Sequence, residues 1–290
     1  MTLEIVLQSV VSGLMFGGVI ALVAVGISLI WGVMDVINFA YGEYLMWAMY
    51  LTFFLYAGAG LDPLVSVPVN ALVLFAAGVL TYRLVIARVM RGPIFAQLLS
   101  TFGLFVLLRY AAWLLFRPDD RQAQSLVSNG VVKLGELRVS TGELVAFVGS
   151  VLATTALFWF LTWTKTGKAL RAVAQDREAA LALGIEPDRL YAIAWGISAA
   201  AAGVAGSLVS SFMYVNPLVG DVFLLPGFAA VALGGFGSVY GAFAGGLVIG
   251  VVNVTGGTLT MPKVKLALVY LVFLAVLFMR PRGLFGGRRQ

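Results

Sequence analysis

The chain has no cysteine and no histidine, and only 11% of its 290 residues carry charge. Without cysteine there are no disulfides, no thiolate nucleophiles and no thiolate metal sites. Without histidine the commonest general base and metal ligand is gone. The shortage of charge is the most restrictive feature. A soluble globular domain needs roughly a quarter of its residues as Asp, Glu, Lys or Arg to clothe its surface, and here the share is less than half of that. With 61% apolar residues and a mean hydropathy of +1.00, the surface is expected to face lipid.

What charge there is falls between long apolar runs. Stretches without Asp, Glu, Lys or Arg cover 5–34, 44–61, 63–82, 92–108, 144–164, 190–220, 222–262 and 266–279. A helix needs about 20 apolar residues to cross a hydrocarbon core, and the run from 222 to 262 is long enough for two crossings. The short last run is extended by Lys263, Lys265 and Arg280, which can snorkel to the interfaces. Continuous segments such as 21–30 exclude the alternating strands of a membrane β-barrel. The fold class is an all-α polytopic membrane protein, a single transmembrane domain over residues 1–290. Residues 1–8 lack a basic leader region, so the first run is expected to be retained rather than cleaved.

Lys and Arg set the orientation. Arg83, Arg88 and Arg91; Lys165, Lys168, Arg171, Arg177 and Arg189; and Arg280, Arg282, Arg288 and Arg289 gather on one side, twelve of the nineteen basic residues. With that side cytoplasmic, nine crossings fit at roughly 5–31, 36–56, 64–86, 94–116, 143–164, 190–213, 222–235, 239–258 and 264–280. The N-terminus is then outside and the C-terminus inside; eight crossings is the alternative, because the seventh is short. The net charge of +6 reports this topology rather than nucleic-acid binding. An external loop, 117–143, contains an alternating segment at 131–139 that predicts a small hairpin. The one substantial cytoplasmic loop is 165–189.

Thirty-four glycines include a ladder of Gly237, Gly241 and Gly245, with Gly246 and Gly250 one residue over. Such spacing lets helix backbones approach closely in lipid, for tight packing or for a bundle that rocks without opening voids. Pro226 and Gly227, followed by Phe228, and the glycines at 234–237 are expected to break the seventh span. A break can be a simple kink, or it can place half-helix ends against a solute. Asn38 and Glu43 are expected on the second span, with Asp35 at its inner edge. Intramembrane carboxylates can serve a proton relay, but an isolated glutamate better suits a hydrogen bond between helices. Arg109, near the outer end of the fourth span, is expected to snorkel and is given no chemistry.

In the cytoplasmic loop, Asp176 is placed as an N-cap and Glu178 suits the positive start of a helix. Gly184 is placed as a left-handed stop, with Pro187 just beyond. A two-turn helix results, carrying Arg177, Ala179, Ala180 and Leu183 and followed by Ile185. It is too short to be stable alone, so it lies against the bundle or docks in a groove on a soluble partner.

Four segments together resemble the permease subunits of ATP-binding-cassette importers for branched-chain amino acids, over nearly the whole chain. They are residues 36–43 (VINFAYGE), 166–174 (TGKALRAVA) running into 178–185, 232–238 (ALGGFGS) and 280–286 (RPRGLFG). The loop balance is most similar to the first of the two permease types that pair in this family. The resemblance implies a second related permease, two cytoplasmic ATPases that hold the ATP and Mg, and an extracytoplasmic solute-binding protein. It also implies that Asp176–Ile185 couple to an ATPase and that the cargo is an amino acid, with urea, amides and small aromatic acids carried by some members. Tyr41 departs from the pattern, standing where many relatives have histidine, so no role of that histidine carries over. The chain itself has no GxxxxGK[ST] phosphate loop, consistent with ATP bound elsewhere. Asn38, Tyr41, Glu43 and 226–228 are the candidates near a translocation path. The alternative function is an ATPase-independent secondary transporter or channel for a small polar solute. An intramembrane enzyme is disfavoured by the missing Cys and His and the lack of paired carboxylates.

Overall fold

The computed structural model describes residues 3–285 apart from 91, 126, 129, 136, 262, 281 and 282. Arg91, Arg282, Arg288 and Arg289 of the basic clusters, Glu136 of the hairpin, and Pro281 and Gly286 of the last motif lie outside the described residues. The chain is a helical bundle: α1 (Leu3–Met34), α2 (Tyr41–Ala59), α3 (Pro63–Val89), α4 (Ile94–Phe116), a hairpin of β1 (Val131–Leu134) and β2 (Leu137–Ser140), α5 (Thr141–Trp163), α6 (Lys165–Gln175), α7 (Arg177–Ala182), α8 (Pro187–Ser210), α9 (Val219–Gly234), α10 (Val239–Leu259) and α11 (Lys265–Met279). Among the described residues α1, α3, α4, α5, α8 and α10 are long and apolar enough to cross a membrane, and α9 and α11 are shorter apolar helices.

The centre is built on α1 and α8, the two most buried of the six long helices. Along α1 packs α10, with α9 against both of them, while α8 packs against α3 and α2. Gly237, expected in the glycine ladder, lies before α10 with a φ of 79° and faces Gly32 of α1; the rest of the ladder explains how closely the helices fit, because its two rows face different neighbours. A Cβ on Gly241 would meet the carbonyl of Gly234, and one on Gly245 that of Ala230, both on α9; Gly246 and Gly250 are pressed against Ala21 and Gly17 of α1. Gly13 and Gly17 of α1 complete the second row, their Cβ positions lying 2.8 Å from Val251 Cα and 3.1 Å from Leu247 Cα. Side chains gain little by leaving lipid, so close backbone packing of this kind contributes to helix association.

A polar knot pins α2, α3 and α8 together. Asn70 Nδ2 donates to Thr52 Oγ1 at 2.6 Å, to Ser207 Oγ at 2.5 Å and to the Ala48 carbonyl at 3.1 Å. Ser66 joins through Thr52 at 3.3 Å. All four side chains are fully buried, so the bonds form without competition from water.

The first apolar run is one unbroken helix, as its single crossing implies. The structure differs from the sequence reading in three places. The second helix begins at Tyr41, not at 36, because Asp35 takes a left-handed φ of 53° and Asn38 Oδ1 accepts the Ala40 N–H at 3.0 Å, a local turn that competes with helix. Asn38 therefore lies in the non-helical approach to α2. Pro226 does not break α9, which runs continuously through it; packing on both sides holds the helix where one backbone bond is missing. The break falls at Gly235, whose φ of 102° is open to glycine alone. Finally, residues 165–175 form a helix of their own, with Gly167, Leu170 and Val173 turned inward at a three-residue spacing.

The segments at the β1–β2 end of the bundle are tied down. Gln8 of α1 pairs with the backbone of Arg138 on β2, donating to its carbonyl at 2.6 Å and accepting its N–H at 2.9 Å. Arg121 and Val215 exchange backbone hydrogen bonds of 3.0 and 2.7 Å, joining the segment after α4 to the connection between α8 and α9.

Candidate functional site

Three charges that are far apart in sequence meet between α2, α4 and α9. Arg109 Nε and Nη2 donate to Glu43 Oε1 at 3.2 and 2.7 Å, while Nη1 and Nη2 donate to Asp221 Oδ2 and Oδ1 at 2.9 and 2.6 Å. Glu43 is fully buried, the Arg109 side chain is 14% exposed and that of Asp221 is 43% exposed. Arg109 lies seven residues before the end of α4, about 10 Å along the axis at 1.5 Å per residue, so the cluster sits well inside the helical layer. The expectation that Arg109 merely snorkels is thus corrected, and so is that of an isolated Glu43. A guanidinium fork is the group that can hold two carboxylates at once in a dry site.

Local sequence places each member. Glu43 and Asp221 both occupy the first turn of a helix, where the N-terminal dipole favours an anion. Their helices can come together because Gly42 and Gly220 face each other: a Cβ on either would strike the other's carbonyl, at 2.6 and 2.8 Å. Sequence reasoning missed Asp221. The available signal was that Asp221 alone divides two long charge-free runs, while Arg109 interrupts another.

Below the ion cluster runs an aromatic surface. The Arg109 guanidinium lies 4.3 Å above the Phe105 ring, Phe105 stacks on Phe102 at 5.5 Å, and Phe39 bridges Phe102 and Phe228 at 6.4 and 5.8 Å. Each of these four rings keeps some exposure. The backbones of α4 and α9 scarcely approach each other, so side chains make this junction. Of the path candidates, Asn38, Tyr41, Glu43, Pro226 and Gly227 are all buried inside the chain, and Phe228 alone reaches the partly exposed surface. Tyr41 is wedged beneath Gly26 of α1, where a Cβ would strike its hydroxyl.

At the opposite end of the bundle, α6 and α7 project as a capped peg. Thr164 caps α6 by accepting the Gly167 N–H at 3.0 Å. Asp176 Oδ1 then accepts the N–H groups of Glu178 and Ala179 at 2.9 and 3.0 Å, starting α7. The helix stops with Ile185 N–H on the Ala180 carbonyl at 3.0 Å and Gly184 N–H on that of Leu181 at 2.9 Å, around a Gly184 φ of 77°. This pair of bonds is the Schellman stop that Gly at C′ permits. Ala180 faces the bundle, whereas Asp176, Arg177, Glu178, Ala179 and Gly184 are exposed and Ile185 is partly so. Leu183 is 79% and Leu181 50% exposed.

Over residues 9–277 the sequence matches the family described as the branched-chain amino acid transport system permease component. The chain belongs to this family. Relatives of the permease include the high-affinity branched-chain amino acid transport system permease protein BraD of Pseudomonas aeruginosa, 31% identical over 97% of this chain and 95% of the relative. Another is LivH of Escherichia coli strain K12, 32% identical over the same shares. A probable branched-chain amino acid transport permease of Methanocaldococcus jannaschii is 29% identical over 82% of this chain and 77% of its own length. No solved structure matches the chain. The permease is a multi-pass protein of the inner membrane. Two of its sequence motifs meet at the α9 break: Leu284 and Phe285 N–H groups donate to the Leu233 and Gly234 carbonyls at 2.8 and 3.0 Å, capping the end of α9. Beside them Phe236 packs on Trp31 at 4.7 Å, fixing the last turn of α1. Among the described residues no group of three or more Asp, Glu, His or Cys is placed to hold a metal ion.

Proposed function

We propose that this permease is one membrane subunit of an ATP-binding-cassette importer for branched-chain or related amino acids. It pairs with a second related permease, two cytoplasmic ATPases that carry the ATP and Mg, and an extracytoplasmic solute-binding protein. Nine crossings, with the N-terminus outside and the C-terminus cytoplasmic, put the 117–143 loop toward the binding protein and the 165–189 loop toward the ATPases. The observation that carries the reading is the peg: a helix of six residues, capped at both ends, that turns leucine side chains away from its own bundle. Such exposure at the polar end of a membrane protein fits a partner's groove. ATP binding and hydrolysis in that partner would push the peg and rock the tightly nested glycine-faced helices between access states.

In proteoliposomes the chain is expected to accumulate leucine only when the ATPases, the second permease and the binding protein are all present. Accumulation by this chain alone, driven by an ion gradient, overturns the reading in favour of a secondary transporter. The peg itself is checked by Glu178→Lys and Gly184→Trp. The first reverses charge at an exposed position; the second forces a side chain into a left-handed backbone at a cost of about 1–2 kcal/mol, which unwinds the stop without touching the bundle. Both are expected to cut ATP-dependent uptake at least tenfold and to weaken co-purification with the ATPase. Intact uptake and intact co-purification in both variants would remove the docking assignment.

A further inference from the structure

The ion cluster combines features that point beyond helix packing. It holds two carboxylates against one guanidinium, a formal charge of −1, and Glu43 Oε2 accepts no hydrogen bond among the described residues. Its halves are unequal. Glu43 is fully buried and anchors Arg109 through Nε and Nη2, whereas Asp221 is nearly half exposed and sits two residues into α9. The pair therefore has a sealed partner and a partner that solvent and solute can reach. It spans α4 and α9 where their backbones stand apart, directly above the partly exposed rings of Phe105, Phe102, Phe39 and Phe228.

We propose that the Arg109–Asp221 pair closes the outer end of the α4–α9 cleft and is opened by exchange with a zwitterionic amino acid bearing an apolar side chain. The solute's carboxylate takes the guanidinium donors that face Asp221, its ammonium takes the freed Asp221 carboxylate, and its side chain settles on the phenylalanine surface. Charge-assisted hydrogen bonds are replaced in kind, so opening leaves neither the largely buried guanidinium nor Asp221 without a partner. A cation, an anion and an apolar floor in this order match an α-amino acid. A neutral amide would break the ion pair without replacing it, and an organic acid would leave Asp221 unpaired. The inference rests on the transport role proposed above and on the orientation assigned to the helices.

The test uses the complete importer in proteoliposomes, with one preparation of binding protein common to every arm so that differences arise in the permease. Asp221→Asn removes the charge that receives the ammonium while leaving the Arg109–Glu43 anchor. It is expected to raise the KM for leucine uptake at least tenfold with the melting temperature of the complex unchanged, and Asp221→Glu is expected to restore most of the affinity. Two results overturn the exchange and leave the pair a structural clasp: an unchanged KM in Asp221→Asn, or a fall in uptake that tracks a fall in melting temperature. A wild-type complex that moves no leucine on ATP overturns the proposed function and this inference with it.

Discussion

Arg109→Met is expected to lower the stability of the permease by about 3 kcal/mol, the cost of leaving a buried charge without its partner. The loss comes from Glu43 rather than Asp221. Glu43 is sealed from solvent and accepts two hydrogen bonds from Arg109, whereas Asp221 is exposed enough to be resolvated. Methionine fills much of the same volume, which keeps cavity formation out of the result. Unfolding in mild detergent, followed by tryptophan fluorescence, reads the change. The decisive comparison is the double variant Glu43→Gln with Arg109→Met, where no charge is stranded and more than half of the lost stability should return. Arg109→Lys should fall in between, because a point charge cannot serve two carboxylates as a planar fork does. If Arg109→Met unfolds with the wild type, the cluster contributes nothing to the fold.

Gly250→Leu is the other substitution with a large effect. Its Cβ would land on the backbone of Gly17, and the carbonyl of Gly13 lies 2.7 Å away, so a leucine has no rotamer that avoids α1. Backbone atoms cannot give way as a flexible side chain can, and α1 and α10 must separate along their shared seam. Overpacking costs typically 1–3 kcal/mol, and the upper end, about 3 kcal/mol, is expected because the seam depends on close contact. Gly58→Leu is the control: nothing lies within 4 Å of its Cβ, and it is exposed near the end of α2. The pair of variants, compared by yield of folded protein and by melting temperature, separates backbone contact from a general intolerance of glycine replacement. Equal behaviour of the two would remove the seam argument.

Much of the architecture was legible because it is written locally. The length of each apolar run, the alternation that became the β1–β2 hairpin, and the caps at Asp176 and Gly184 depend on neighbours a few residues away. The same locality misled at Pro226, where the backbone preference of one residue was outweighed by packing from neighbouring helices. It failed again at residues 36–40, where the Asn38 turn displaced a helix that hydropathy alone extends. The amphipathic α6 was overlooked because its apolar face is only three residues wide and its polar face looks like a loop.

The candidate site was the least legible part. Glu43 was noticed, but Arg109 and Asp221 lie 66 and 112 positions away from their partners in the cluster, and no local rule joins them. Of the path candidates, Asn38, Tyr41, Glu43, Pro226 and Gly227 are buried, while Phe228 joins a partly exposed surface with Phe39, Phe102 and Phe105, rings that hydropathy counts as lipid-facing. Likewise, the spacing of Gly241, Gly245, Gly246 and Gly250 implied close packing without saying against what.

Composition and charge placement by themselves determined the solvent this protein lives in, the spacing of its crossings and the capped peg at one end, because each follows from residues adjacent in the chain. Only the tertiary structure decided that one arginine is shared by two carboxylates and that the two glycine rows face different helices. Those facts depend on which helices touch and at what depth. Long-range packing sets that depth, and the glycine spacing that permits close backbone contact in lipid does not say which helix makes it.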